Sequence, residues 1–221
     1  MNEPKSYDGR LQGPATIQLS GATSSGKTWM CREIIRAADE LITPKVQRYL
    51  YAYGEYQKFF DSFPPYVEFH RGIDEDLISR ENLKDEHTLL VIDDLLDEAD
   101  STLLSNIFTK FSHHRNITVL LLSNSLFSKQ KNYRLLAVNT QYYFIFRSAR
   151  DHSSVATLAR QMFGSAYKYM VAAYQECIKK DYGYLFLDLK ANTPPALRVR
   201  TNILPHETTT VFLIKDNGQK R

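Results

Sequence analysis

The eight residues Gly21-Ala22-Thr23-Ser24-Ser25-Gly26-Lys27-Thr28 fit the pattern GxxxxGK[ST] at every fixed position. Few short motifs restrict a fold so tightly. The pattern works only between a strand and a helix, where glycines let the backbone curl, its N–H groups converge on an anion and the helix N-terminus adds partial positive charge. The flanking sequence offers both, an apolar strand over 15–19 and a helical stretch over 27–41 that Pro44 ends. In such a loop Lys27 reaches the β- and γ-phosphates of a nucleoside triphosphate, and the Thr28 hydroxyl ligates Mg²⁺. The bland alternative is a Gly/Ser turn that only caps a helix.

Along the rest of the chain, short apolar runs alternate with longer helical segments. Strands are expected over 48–53, 67–70, 88–93, 117–122, 141–146, 184–189 and 197–203, with helices from about 74 and over 97–111, 153–163 and 166–178. This alternation predicts an α/β fold, a mostly parallel central β-sheet flanked by helices. The runs 88–93 and 117–122 are apolar without interruption, as central strands covered on both faces must be. A length of 221 residues suits one domain, placed at 14–215, with a flexible or loosely docked arm at 1–13 and a polar tail at 216–221.

Composition narrows the function classes. With 43% apolar and 24% charged residues the chain is of the folded, globular kind. Cys31 and Cys177 form no CxxC or Cys/His pattern, so neither a zinc site nor a disulfide framework is expected. No apolar run approaches the roughly eighteen residues of a membrane span, and the polar N-terminus does not resemble a signal peptide, so a soluble intracellular protein is expected. A net charge of +3 is too small for nucleic-acid binding by bulk charge; any DNA contact must be local.

A second motif follows. Leu89-Leu90-Val91-Ile92 runs directly into Asp93-Asp94. In a parallel sheet the carboxyl end of that strand faces the nucleotide crevice, where Asp93 can hold a water on Mg²⁺ and Asp94 can polarise the attacking water. Alternatively both acids start the next helix and offset its dipole. Asp97, Glu98 and Asp100 read as a solvated first helical turn, with Glu98 a reserve candidate. Asn124, past the strand over 117–122, is placed to sense the γ-phosphate, or simply to start a turn. Arg115, Arg147 and Arg150 are eligible as an arginine supplied to a neighbouring subunit; for Arg115 the alternative is a cation at a helix C-terminus, for Arg150 an ion pair with Asp151. His113-His114 reads as surface, and Tyr49, Tyr51 and Tyr53, at period two, as a half-buried sheet face. Lys129, Lys131 and Arg134 form a basic cluster suited to a DNA backbone or to plain solvation.

With these residues assembled, the chain resembles the FtsK–HerA group of P-loop ATPases, specifically the small genome-packaging ATPases of poxviruses, other large DNA viruses and Polinton-like elements. The likeness runs nearly full length through GATSSGKT, VIDDLLDEAD, FTKFSHHRNITVLLLSNSLF, RSARDHSSVATLARQMF and YGYLFLDLKANTPPALRVRTNI, in the family's order. It implies a RecA-like core, ATP and Mg²⁺ as cofactors, a homo-oligomeric ring, and ATP-driven movement of double-stranded DNA into a capsid through capsid or portal-like proteins. The implied location is the host nucleus or viral replication site, or the virion. By the same likeness Lys27 and Thr28 take Walker A roles and Asp93 and Asp94 form the Walker B pair. Two departures stand out: Asn124, one methylene shorter, replaces the usual glutamine sensor, and Ser24-Ser25 stands where Gly-Ser is frequent, a change tolerated if position 24 need not adopt a positive φ.

Two rival functions remain. A nucleotide or nucleoside kinase shares the loop but usually lacks an apolar strand ending in paired acids. A non-catalytic P-loop scaffold has no need of Lys27, Thr28 and Asp93 together. A signalling GTPase is disfavoured because no NKxD motif occurs.

Overall fold

A computed structural model describes residues 7–83, 86–96, 101–127 and 133–214. The chain begins with β1 (Leu11–Gln12) and β2 (Thr16–Ser20), then α1 (Lys27–Arg36), α2 (Ala38–Leu41), β3 (Ile42–Thr43), β4 (Arg48–Tyr53) and β5 (Val67–Arg71). After α3 (Arg80–Leu83) come β6 (Thr88–Asp93), α4 (Ser101–Asn106), a π-helical turn (Ile107–Phe111), α5 (Ser112–His114) and β7 (Ile117–Ser123). The remainder is α6 (Tyr133–Asn139), β8 (Tyr142–Phe146), α7 (His152–Phe163), α8 (Tyr167–Cys177), β9 (Tyr184–Asp188), β10 (Val199–Thr201) and β11 (Thr210–Val211).

Nine strands form one sheet in the order β11-β10-β9-β8-β2-β7-β6-β4-β5. From β8 to β5 every pairing is parallel; β9, β10 and β11 join antiparallel. The apolar runs explain the middle of this order. Every residue of β6 and β7 is buried, and alternate side chains serve opposite faces, as the pleat requires. Leu89 and Val91 join Met30 and Ile34 of α1 on one face, while Leu90 and Ile92 join Ile107, Phe108 and Leu136 on the other. A third cluster sets Val155, Leu158, Met170 and Tyr174 of α7 and α8 against Tyr143, Ile145, Leu185 and Leu187. Helices thus cover both faces, and the strands' carboxyl ends open along one edge.

Several expectations change. The stretch 7–13 is seated on the domain rather than a flexible arm: Leu11 is 1% exposed and β1 pairs with β3, while the Tyr7 hydroxyl donates to Asp188. The cause is a buried charge needing partners, for Asp188 also pairs with buried Arg200 at 2.9 Å. Residues 1–6 and the tail 216–221 lie outside the described residues, as do Asp97, Glu98, Asp100, Lys129 and Lys131. The single helix expected over 27–41 breaks at Ala37 (φ −93°, ψ 8°). α6 replaces what reads in sequence as a basic loop, because Tyr133 and Leu136 face inward together. His113 and His114 are exposed, as expected for a surface pair. No helix among the described residues is long and apolar enough to cross a membrane.

Candidate active site

The 21–28 loop joins β2 to α1 at the carboxyl edge of the sheet, between β8 and β7. Its backbone is tied to both neighbours: the Gly21 N–H donates to Ser123 O at 3.2 Å and the Ala22 N–H to Arg147 O at 3.1 Å. Two glycines permit the curl. A Cβ on Gly21 would lie 2.6 Å from the Phe146 Cβ, and Gly26, at φ 104°, leaves 2.6 Å between such a Cβ and the Tyr182 ring. α1 starts at Lys27 with no side chain capping its N-terminus, so the first-turn N–H groups face the loop.

Inside the curl the Lys27 ammonium donates to Gly21 O at 2.8 Å, Ala22 O at 2.9 Å and Asn124 Oδ1 at 3.1 Å. Burial holds its pKa below the usual lysine value, while Asp93 and Asp94 pull it back upward. β6 brings Asp93 to the same cavity, about 590 Å³ in volume, which Thr28, Asp94 and Asn124 also line. Asp93 is buried and takes a 2.7 Å hydrogen bond from the Tyr51 hydroxyl on Oδ2. Burial raises its pKa, the Tyr51 hydrogen bond opposing, with Asp94 adding repulsion and Lys27 attraction. Asp94, at φ 56°, ends the strand pattern and is exposed.

Position 24 does adopt positive φ, at 62°, so the condition under which serine would replace glycine there freely is not met. A small residue tolerates the left-handed region at about 1–2 kcal/mol, whereas a β-branched one fits it poorly. Ser24→Val is therefore expected to weaken magnesium–ATP affinity about five-fold or more by calorimetry, with Ser24→Gly binding at least as well as wild type. Equal affinity for Ser24→Val would mean that the loop does not keep this conformation.

The structure gathers Lys27, Thr28, Asp93, Asp94 and Asn124 on one cavity but does not bring Arg115 there. Arg115 precedes β7 at the opposite edge of the sheet. Its guanidinium donates to Ile78 O at 2.7 Å, lies 3.8 Å from Glu75 and stacks 3.6 Å over Phe111. Within its own chain it therefore sits at a helix end, away from the cavity. Arg147 stands beside the loop, yet its guanidinium is bonded to Ile178 O. Arg150 is exposed, and Asp151 accepts from the Leu126 N–H at 2.8 Å instead of pairing with it among the described residues.

Sequence reasoning missed three groups. Tyr51 sits in the aromatic core with Phe60, Phe63 and Phe69, as its alternation suggests, but its hydroxyl also fixes Asp93. Gln18 and Tyr133, both buried, support the turn that carries Asn124. The Gln18 Nε2 lies 2.9 Å from Ser123 Oγ, 2.6 Å from Tyr133 Oη and 3.2 Å from Ser125 O, to which Tyr133 also donates. Trp29 and Tyr182 line the cavity beside the loop. A buried glutamine inside an apolar strand was the one available signal, since such an amide demands partners.

No protein-family model matches the sequence, and no curated protein matches it. Solved structures do resemble it in fold. The DNA-packaging ATPase B204 of Sulfolobus turreted icosahedral virus superposes with a TM-score of 0.54 at 11% identity, over 92% of this chain and 98% of that one. ATPases 2 and 3 of EssC from Geobacillus thermodenitrificans give 0.52 at 12% identity, over 94% of this chain and 41% of theirs. The cytoplasmic domain of the type VII secretion ATPase EccC from Thermomonospora curvata gives 0.51 at 15% identity, over 81% of this chain and 24% of that one. The chain thus spans nearly all of B204 but less than half of the EssC and EccC chains. The architecture is the α/β, RecA-like P-loop ATPase fold, with a mostly parallel central sheet flanked by helices.

Proposed function

We propose that the chain is an ATP-hydrolysing motor of the FtsK–HerA kind that moves double-stranded DNA, acting as a genome-packaging ATPase in a homo-oligomeric ring. The observation that carries this reading is the meeting of Lys27, Asp93, Asp94 and Asn124 around one glycine-bounded loop. The near-complete coverage of a viral DNA-packaging ATPase supports the cargo and the size of the unit.

The donor set fits Mg²⁺, a hard cation that takes oxygen ligands and keeps several waters. Among the described residues no group of three or more His, Cys, Asp and Glu side chains forms a site by itself. The Thr28 hydroxyl and the Asp93 carboxylate would hold the ion, Asp93 through water, and the cation would relieve the burial and the Asp94 repulsion that Lys27 offsets only in part. When bound, the ion neutralises charge on the β- and γ-phosphates. Lys27 exchanges the Gly21 and Ala22 carbonyls for phosphate oxygens. Asp94 accepts the proton of the attacking water, and the Asn124 amide orients that water and the γ-phosphate.

The fold also occurs in a type VII secretion ATPase, so a polypeptide cargo is the second reading. The deciding experiment measures ATP turnover with and without double-stranded DNA over a salt series, beside size-exclusion chromatography. DNA stimulation that falls steeply with salt, together with assembly into a ring, is the expected result. A rate indifferent to DNA at every salt concentration would exclude the DNA cargo, and phosphate transfer to a nucleoside monophosphate would favour a kinase.

A further inference from the structure

Tyr182 is a large aromatic residue held where solvent reaches it. It is 57% exposed and sits at φ 55°, backbone that a tyrosine rarely adopts. The turn is tight: a Cβ on Gly183 would lie 2.0 Å from Cys177 O. This turn presents the Tyr182 ring against Gly26 and beside Trp29, with ring centroids 6.0 Å apart and planes 22° from parallel. Tyr182 also forms part of the wall between the 590 Å³ cavity and a neighbouring one of about 380 Å³.

The sheet order gives this pair a direction. β7 and β6 lie on one side of β2 and carry Asn124, Asp93 and Asp94; β8 and β9 lie on the other, and Tyr182 immediately precedes β9. A triphosphate laid along the loop with its γ-phosphate toward the acids therefore points its nucleoside toward Tyr182 and Trp29. Resting on the nucleotide-site reading above, we infer that Tyr182, backed by Trp29, is the stacking platform for the nucleoside base. Stacking on an aromatic face reads the π-face that all bases share.

Trp29 is the chain's one tryptophan, so its fluorescence reports on this spot alone. The test titrates wild type, Tyr182→Ala and Tyr182→Phe with magnesium–ATP and with magnesium–tripolyphosphate, by calorimetry and by tryptophan emission. Tyr182→Ala is expected to bind ATP roughly ten-fold or more weakly and tripolyphosphate unchanged, with Tyr182→Phe near wild type. Trp29 emission is expected to respond to ATP more than to tripolyphosphate. An unchanged ratio of ATP to tripolyphosphate affinity in Tyr182→Ala, whether both hold or both fall, would overturn the platform while leaving the phosphate loop in place. Wild type binding neither probe would overturn the nucleotide site itself, and the platform with it.

Discussion

Replacing Lys27 with alanine is expected to cut ATP turnover by about a thousandfold or more and to leave the fold intact. The first half follows from charge. The ammonium is the cation held inside the loop's curl, and removing one well-placed donor to a developing oxyanion typically costs two to three orders of magnitude. The second half follows from its contacts. Lys27 bonds two loop carbonyls and Asn124, all at the cavity, and buries no apolar core. Circular dichroism and the thermal midpoint should therefore stay close to wild type while phosphate release is lost. Turnover that survives the substitution would remove the active-site assignment.

Asp94→Asn should separate binding from chemistry. Asparagine is among the few residues at ease in left-handed backbone, so it suits the φ of 56° at this position and the variant should fold. It cannot accept a proton from water. Single-turnover hydrolysis is expected to fall about 10²- to 10⁴-fold while magnesium–ATP affinity, measured by filter retention, holds. Hydrolysis at the wild-type rate would move the water-activating role to another acid, Glu98 being the reserve candidate.

What could be read from sequence was whatever is local. The glycine loop, its strand and its helix are contiguous, and β4 and β6 fall on their expected residues because uninterrupted or alternating apolar runs leave few other choices. Residues that act from a distance in sequence were harder. Tyr51 reads as core and is core, yet the parallel pairing of β4 with β6 is what brings its hydroxyl to Asp93. Tyr182 depends on a turn 153 residues beyond Trp29, on the far side of the loop, where no periodicity marks an aromatic that faces solvent. Arg115 shows a limit of another kind: in sequence it is a cation before a strand, and its contacts with Phe111 and Ile78 come from segments that only the fold brings together. Ser24 misled because a residue's type records only a tendency toward a given φ.

The Gln18 amide has a mechanical consequence. Its oxygen is buried without a partner while its nitrogen already serves Ser123, Ser125 and Tyr133. Pulling the Asn124 turn away from α6 would take from the nitrogen the partners on one side or the other and break the Tyr133 bond to Ser125 O, at about 1 kcal/mol for each hydrogen bond lost. Turn and helix are in effect geared together, so a displacement felt at the Asn124 end of the cavity is carried to the helix that begins at Tyr133.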